Sequence, residues 1–348
     1  MDEAFREVSD FDSLYDAFGR ARKGSFWKDS IIEYDQNRLL YTAKISRQLR
    51  ENRYKLKGYY KFTICEREKI RHIQSLHITD RVVQHSLCKI VLIPTMSKSW
   101  VYDNSASQKD KGTHFARNRL KRQMLRYYRK HGLNGYVLQM DVKKYFESIP
   151  HEYLKERMRR HFSDMPQVLG HLEAIIDSFE GDKGIGLGSQ VSQLFALEAL
   201  SPVDHMIKDS MRIRDFNRYM DDLTLIHPSK EYLHQCKDRV SSFLESIGLK
   251  LHPKKTQIFP LKKGIKYLGF HFYLTDTGGV YIKLASNSEK RMKRKIRKMA
   301  NMGKSDAEIK RSFYAWAAHA SYGNNYYRIK RNENYMFRVL QQRREENA

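Results

Sequence analysis

Residues 216–227, FNRYMDDLTLIH, constrain this chain more than any other stretch. Two short apolar runs flank a pair of adjacent aspartates, Asp221 and Asp222. Such runs on either side of a break predict a β-hairpin. Tyr219 then ends one strand, Met220 to Asp222 form the tight turn, and Leu223 to Ile226 return. The turn presents two carboxylates at its tip. Aspartate is at home in turns, where its side chain bonds nearby backbone N–H groups, so an ordinary turn pair is one reading. Residues 136–141, YVLQMD, favour another: a β-prone run that ends on a third acid, Asp141. Two hard divalent cations need carboxylate oxygens from separate segments held on a rigid sheet. Asp141 and Asp221 could supply them with Asp222 close by, and bound cations make clustered carboxylates favourable rather than repulsive.

The charge balance bears on what such a site would act on. The 348 residues include 65 Lys and Arg against 40 Asp and Glu, a formal net charge of +25. That excess attracts a polyanion, of which nucleic acid is the commonest in a cytosol, although membrane-surface binders share the feature. Hydrophobic residues make up 41% of the chain, enough for a large domain or for two to three subdomains around a connected core. No apolar run approaches the roughly 20 residues of a membrane helix, so no membrane partner is expected. The acidic, mixed N-terminus lacks the pattern of a signal peptide. Cys65, Cys88 and Cys236 stand far apart, with neither a disulfide framework nor zinc spacing. A cytoplasmic location fits best.

Residues 1–135 read as mostly helical and basic. In this part Thr113 is the expected cap, and Gly132 the stop, of a helix with Ala116, Leu120, Met124 and Tyr128 on one face. A helix follows His151, then the Gly-rich EGDKGIGLGSQVSQ. Helices are expected over 190–208 and 231–248, and a strand over 264–274. The tail, 286–348, reads as a separate helical unit. Ser286 and Glu289 have capping-box spacing. Met292, Ile296 and Met299 form an apolar stripe, surrounded by Lys290, Arg291, Lys293, Arg294, Lys295, Arg297 and Lys298.

Several of these segments, in order, resemble reverse transcriptases. RYMDDLTLI is similar to the Y-x-D-D box and LQMDVKKYFESI to the first catalytic strand. KIRHI and ITDRVVQHSLCKIV resemble the fingers motifs, and GLGSQVSQLFA the template- and nucleotide-positioning motif. GLKLHPKKTQIF and IKYLGFHF resemble the two palm motifs that follow. The resemblance implies an α+β fold of right-hand polymerase type. Basic helical fingers would span 1–134, a palm with an antiparallel sheet 135–275, and a short helical thumb 276–348. It implies two Mg²⁺ ions, with Mn²⁺ as an alternative, on Asp141, Asp221 and Asp222. Lys255 would protonate the leaving pyrophosphate; a plain solvated lysine is the alternative. Lys69, Arg71, Leu187, Gly188, Gln193 and Tyr219 would surround the incoming dNTP. Phe146 would be the steric gate against a ribose 2′-OH, or else an ordinary core residue. Arg81, Lys290, Arg291, Lys293, Arg294 and Arg297 would contact nucleic acid.

The implied activity is RNA-directed DNA polymerase, with template RNA, primer, cDNA and dNTPs as partners. Leu187 to Gln193 reads LGSQVSQ, where an aliphatic residue replaces a common Gln and Gln193 stands where Pro is common. That form, with FYAWAAHASYGNNY near the tail, is similar to diversity-generating retroelement enzymes, which implies error-prone copying and a small basic accessory protein. A bacterial phage-defence enzyme copying a cognate noncoding RNA is the alternative reading. A non-catalytic RNA-binding scaffold and an RNA-synthesising polymerase are the other two.

Overall fold

The structure is a computed structural model, described over residues 2–66 and 69–346. It opens with helices Glu3–Val8, Phe11–Ala21, Asp29–Gln36 and Arg38–Arg50. A two-stranded hairpin follows, β1 (Tyr59–Glu66) with β2 (Lys69–Leu76), pairing from Tyr59↔Leu76 to Glu66↔Lys69. This hairpin interrupts a region whose composition reads as mostly helical.

The centre is a four-stranded antiparallel sheet of order β4-β5-β3-β6. Its strands are β3 (Tyr136–Asp141), β4 (Asp215–Tyr219), β5 (Asp222–His227) and β6 (Gln257–Pro260). Leu138, Met140, Leu223 and Leu225 point to one face and join the main core with helices His151–Phe162, Pro166–Asp177, Gln190–Ala199 and Lys230–Ser246. Val137 and Ile226 point to the other face, onto helix Thr113–His131 and a three-stranded sheet. That sheet is β7 (Ile265–Tyr267), β8 (Phe270–Leu274) and β9 (Val280–Leu284), and it runs across residue 275. Helices Ser286–Asn301, Asp306–Ala320 and Tyr326–Glu346 close the chain around Met292, Ile296, Ile309, Phe313 and Met336.

Four local expectations are corrected. The segment 264–274 is a tight hairpin rather than one strand, because Leu268 (φ 43°) and Gly269 (φ 87°) are both left-handed and reverse the chain in two residues. The helix expected over 190–208 breaks at Leu200. Pro202, with no N–H to donate, starts a new turn, Ser201–His205. Ser286 and Glu289 form no capping box; Glu289 is buried and binds Arg331 of the last helix. The capping box that does form is Ser305 with Glu308. Thr113 lies inside its helix, and Gly112 takes the cap position without a side-chain bond.

Cys65, Cys88 and Cys236 are free thiols. Among the described residues no helix is long and apolar enough to cross a membrane.

Candidate active site

The register of the central sheet brings the three acids together. Asp141 on β3 lies directly opposite Asp222 on β5, and Tyr219 pairs with Asp222 across the β4–β5 hairpin. Opposed residues in antiparallel strands stand about 4.5–5.5 Å apart at Cβ. Asp221 shares the two-residue turn with Met220, whose φ of 54° is left-handed. Strand alternation decides where the acids face. Asp141 shares its face with Val137 and Gln139, and Asp222 with Ile226 and Thr224. Gln139 Nε2 on this face donates to the Lys266 carbonyl at 2.9 Å. The acids therefore open on the side of the three-stranded sheet.

Lys255 reaches Asp141 because the chain before it pairs with the strand end. Lys143 N–H donates to the Lys250 carbonyl at 2.8 Å, and His252 N–H to that of Asp141 at 2.7 Å. A turn then brings Lys255 Nζ to 2.6 Å from Asp141 Oδ2. Burial alone would lower the lysine's affinity for its proton, but this bond and the charges of Asp141, Asp222 and Asp221 hold its pKa above the ordinary value. Asp222 touches solvent but is crowded by protein. Loss of hydration, then the charges of Asp221 and Asp141, push its carboxyl up to about 7, with Lys255 opposing.

These carboxylates repel one another in the absence of a cation, and the ammonium of Lys255 occupies a cation's place beside Asp141. The donors are hard oxygens, the set that suits Mg²⁺ or Mn²⁺. Among the described residues no three acidic, His or Cys side chains yet close around one point.

One residue under the site was missed by sequence reasoning. Arg218 is completely buried. Its Nε and Nη2 each donate to an oxygen of buried Asp204 at 2.6 Å. Nη2 also donates to the Leu197 carbonyl and Nη1 to that of Met220, both at 3.1 Å. Arg218 thus braces the carbonyl of the left-handed turn residue beside Asp221. Its signal in the sequence is a full charge inside an otherwise buried strand, which demands a buried partner.

The residues expected around a nucleotide lie on two elements that touch. Gln74 N–H on β2 donates to the Leu187 carbonyl at 2.9 Å, and Ile73 and Leu187 form a parallel bridge. Gly188 has φ 134°, and a Cβ there would lie 2.9 Å from the Gln74 carbonyl oxygen. Only glycine lets the loop dock this closely. Ser189 then caps helix Gln190–Ala199 by accepting from Ser192 N–H at 2.9 Å. Gln193 is exposed, and its Oε1 accepts from Ser107 Oγ at 2.9 Å. Arg71 is exposed on β2, while the side chain of Lys69 lies outside the described residues. Phe146 is half-buried, 5.7 Å from the Tyr145 ring, and its carbonyl accepts from Ile185 N–H at 2.7 Å.

The expected nucleic-acid contacts separate into groups. Arg291 and Arg294 line a groove of about 1260 Å³ between helix Thr113–His131, the β7–β8 turn and the C-terminal helices. Lys293 and Arg297 stack over Tyr335 instead, at 5.1 and 5.6 Å. Lys290 is exposed. Arg81 is half-buried and ties β2 to the N-terminal helices, reaching Ser75 Oγ at 3.3 Å and the Ala21 carbonyl at 3.4 Å.

The sequence matches the family described as reverse transcriptase (RNA-dependent DNA polymerase) over residues 57–272. The fold is similar to that of apo telomerase from Candida tropicalis truncated from its C-terminal domain. That match has a TM-score of 0.53 and 15% identity, and covers 65% of this chain and 55% of that one. Telomerase from Candida albicans, solved in complex with a fragment of telomeric RNA, matches with a TM-score of 0.52 and 14% identity, over 74% of this chain and 54% of that one. The chain thus spans about half the length of the solved chains it matches. Among curated proteins none matches the sequence.

Proposed function

The chain belongs to the reverse transcriptase family, and on that premise we propose that it is an RNA-directed DNA polymerase, a nucleotidyltransferase that extends a primer with dNTPs on an RNA template. The observation that carries the reading is the pairing of Asp141 with Asp222 across two central strands, with Asp221 in the adjoining turn. Asp141, Asp221 and Asp222 would hold Mg²⁺, or Mn²⁺ in its place. Such ions, when bound, activate a 3′-hydroxyl and neutralise the triphosphate. Lys255 is a proton carrier at the same floor, held there by Asp141. Arg71 and Lys69 on β2, with the Gly188 backbone opposite, would flank the triphosphate, and Phe146 would exclude a 2′-OH. Residues 1–134, 135–275 and 276–348 then serve as fingers, palm and thumb, with the groove beneath the last taking the template–primer duplex.

Primer extension on RNA with dNTPs and Mg²⁺ tests this. Asp221→Asn is expected to abolish extension and to leave RNA binding nearly intact; equal loss of both would assign the aspartates to the fold.

Within the family, Leu187 favours an error-prone enzyme of diversity-generating retroelement type. Its half-buried side chain lies beside Ile73 where an amide would offer a donor, and losing such a donor weakens rejection of mispairs. A cognate template RNA and an accessory protein are the partners this reading calls for; a phage-defence enzyme with its own noncoding RNA is the competing one. Sequenced products from the wild type and Leu187→Gln on one template decide the fidelity claim. Equal error rates at template adenines sink it.

A further inference from the structure

Arg117 stands just past the first turn of helix Thr113–His131 and is only 4% exposed. Its guanidinium carbon lies 4.7 Å from the Phe270 ring centre and 5.1 Å from that of Tyr322. Those two rings meet edge-on at 5.3 Å, so the guanidinium rests in the corner they form. Its Nε is buried without a partner. Among the described residues no carboxylate lies within 4.0 Å of it. A buried arginine ordinarily has an anion against it, because an unpaired charge away from water is costly. Here the described residues supply rings and no counter-charge.

Three further observations say what kind of anion fits. Arg117 lines the groove that also carries Arg291, Arg294, Lys295 and Lys298 of the thumb helix. Thr113 of the same helix lines it too, and no side chain caps that helix's N-terminus, so its free N–H groups add a positive end. Tyr219 of the Tyr-Met-Asp-Asp turn and Tyr267 lie close enough for their hydroxyls to bear on the guanidinium's charge. The Tyr267 hydroxyl is itself buried without a partner. A row of cations leading from a buried fork donor suits a chain of phosphodiesters rather than one small ion.

We infer that Arg117 seats one backbone phosphate of the primer strand, within the last few linkages before the 3′ end that the aspartates receive. This rests on the polymerase reading for the identity of the strand. The stacked guanidinium is pre-oriented, so it takes two phosphate oxygens in its plane with little loss of freedom.

The test is equilibrium binding, without nucleotide, of a primer–template duplex carrying a single uncharged methylphosphonate moved linkage by linkage along the primer. In the wild type one linkage near the 3′ end is expected to cost about 10- to 100-fold in affinity, the range for a charge-assisted bond. In Arg117→Gln that linkage should cost nothing further, and the slope of log affinity against log salt should fall by about 1. Arg117→Lys should restore the salt slope. Should Arg117→Gln fail to fold, the wild-type scan and Arg117→Lys carry the test alone. A flat scan in the wild type overturns the inference, as does a linkage that costs Arg117→Gln as much as the wild type. Because no synthesis is measured, the two claims part cleanly. A protein with the linkage pattern that never extends a primer keeps the seat and loses the polymerase reading. One that extends primers with a flat scan does the reverse.

Discussion

Changing Asp204 to Asn leaves the Arg218 guanidinium buried beside a neutral amide. Both side chains are 0% exposed, and both donor contacts between them are 2.6 Å. Burial pushes the Asp204 carboxyl up even against the pull of Arg218, which shows how poorly the site tolerates an unbalanced charge. Breaking one half of such a pair costs about 3–5 kcal/mol, out of the roughly 5–15 kcal/mol that holds a protein folded. Replacing both partners, Asp204→Leu with Arg218→Met, removes both charges at similar volume. Stability should then return to within about 1–2 kcal/mol of wild type. Extension should not return. The donor to the Met220 carbonyl is gone, and the left-handed Met220 backbone, at about 1–3 kcal/mol, loses its brace. A bond from a charged donor is worth about 1.5–3 kcal/mol, which corresponds to a single-turnover rate slower by about 10- to 150-fold. Urea unfolding followed by tryptophan fluorescence reads the first quantity, and rapid-quench addition of one nucleotide reads the second. A cost under about 1 kcal/mol for Asp204→Asn, or a stable double variant that extends at the wild-type rate, refutes the reasoning.

In chelator the Asp222 carboxyl holds its proton up to about 7 in the folded protein against an ordinary 3.8. The folded state therefore binds the proton more tightly, and stability falls as pH rises through that window and levels off above it. Asp222→Asn should remove this slope and be the more stable above neutrality, by on the order of 1 kcal/mol because the side chain touches solvent; parallel urea midpoints at pH 5 and 8 would contradict this. Gly188→Ala puts a Cβ 2.9 Å from the Gln74 carbonyl oxygen at a φ of 134°. It should cost about 1–3 kcal/mol and raise KM for dNTPs by displacing β2 from the loop, and an unchanged KM would remove the loop from nucleotide binding. Phe146→Ala should raise ribonucleotide incorporation in a competition assay, and an unaltered preference for deoxynucleotides removes the gate.

The parts legible in the sequence are those whose cause is local. The 216–227 hairpin and the strand ending at Asp141 are short patterns with their turn residues in place, and antiparallel pairing then leaves few registers for the acids. The β7–β8 reversal was hidden because its first turn residue is Leu268, a side chain that rarely accepts a left-handed backbone, so only Gly269 hinted at a break. Ser286 and Glu289 have the right spacing for a cap, but an arginine some forty residues away, Arg331, binds the glutamate more strongly than the helix end does. The break at Leu200 was written in Ser201-Pro202 and lost beneath an apolar pattern that continues past it. Arg218 and Arg117 read as just two of the chain's 65 Lys and Arg. Their burial depends on Asp204, Phe270 and Tyr322, and no local pattern announces such partners.

The contrast between those two arginines bears on how a chain of +25 keeps a patch of acid. Arg218 is neutralised within the fold, so its charge cannot reach the carboxylates as an attractive partner; it positions their turn instead. Among the described residues no carboxylate neutralises Arg117, which lies near Tyr219 at the end of β4. Lys255 faces Asp141 directly, at 2.6 Å, and one ammonium does not balance three carboxylates. The cleft therefore presents a negative floor and a positive wall. A polyanion approaching along the wall meets repulsion at the floor unless a cation lies between them. By linkage, whatever divalent ion binds the floor must strengthen the hold on a phosphate chain above it, and the phosphate chain must strengthen the hold on the ion by the same factor. Adjacent aspartates are costly in the isolated protein and become favourable once a cation lies against them; in the free state, loss of hydration first and the neighbouring charges of Asp221 and Asp141 second hold the Asp222 carboxyl far above its ordinary value.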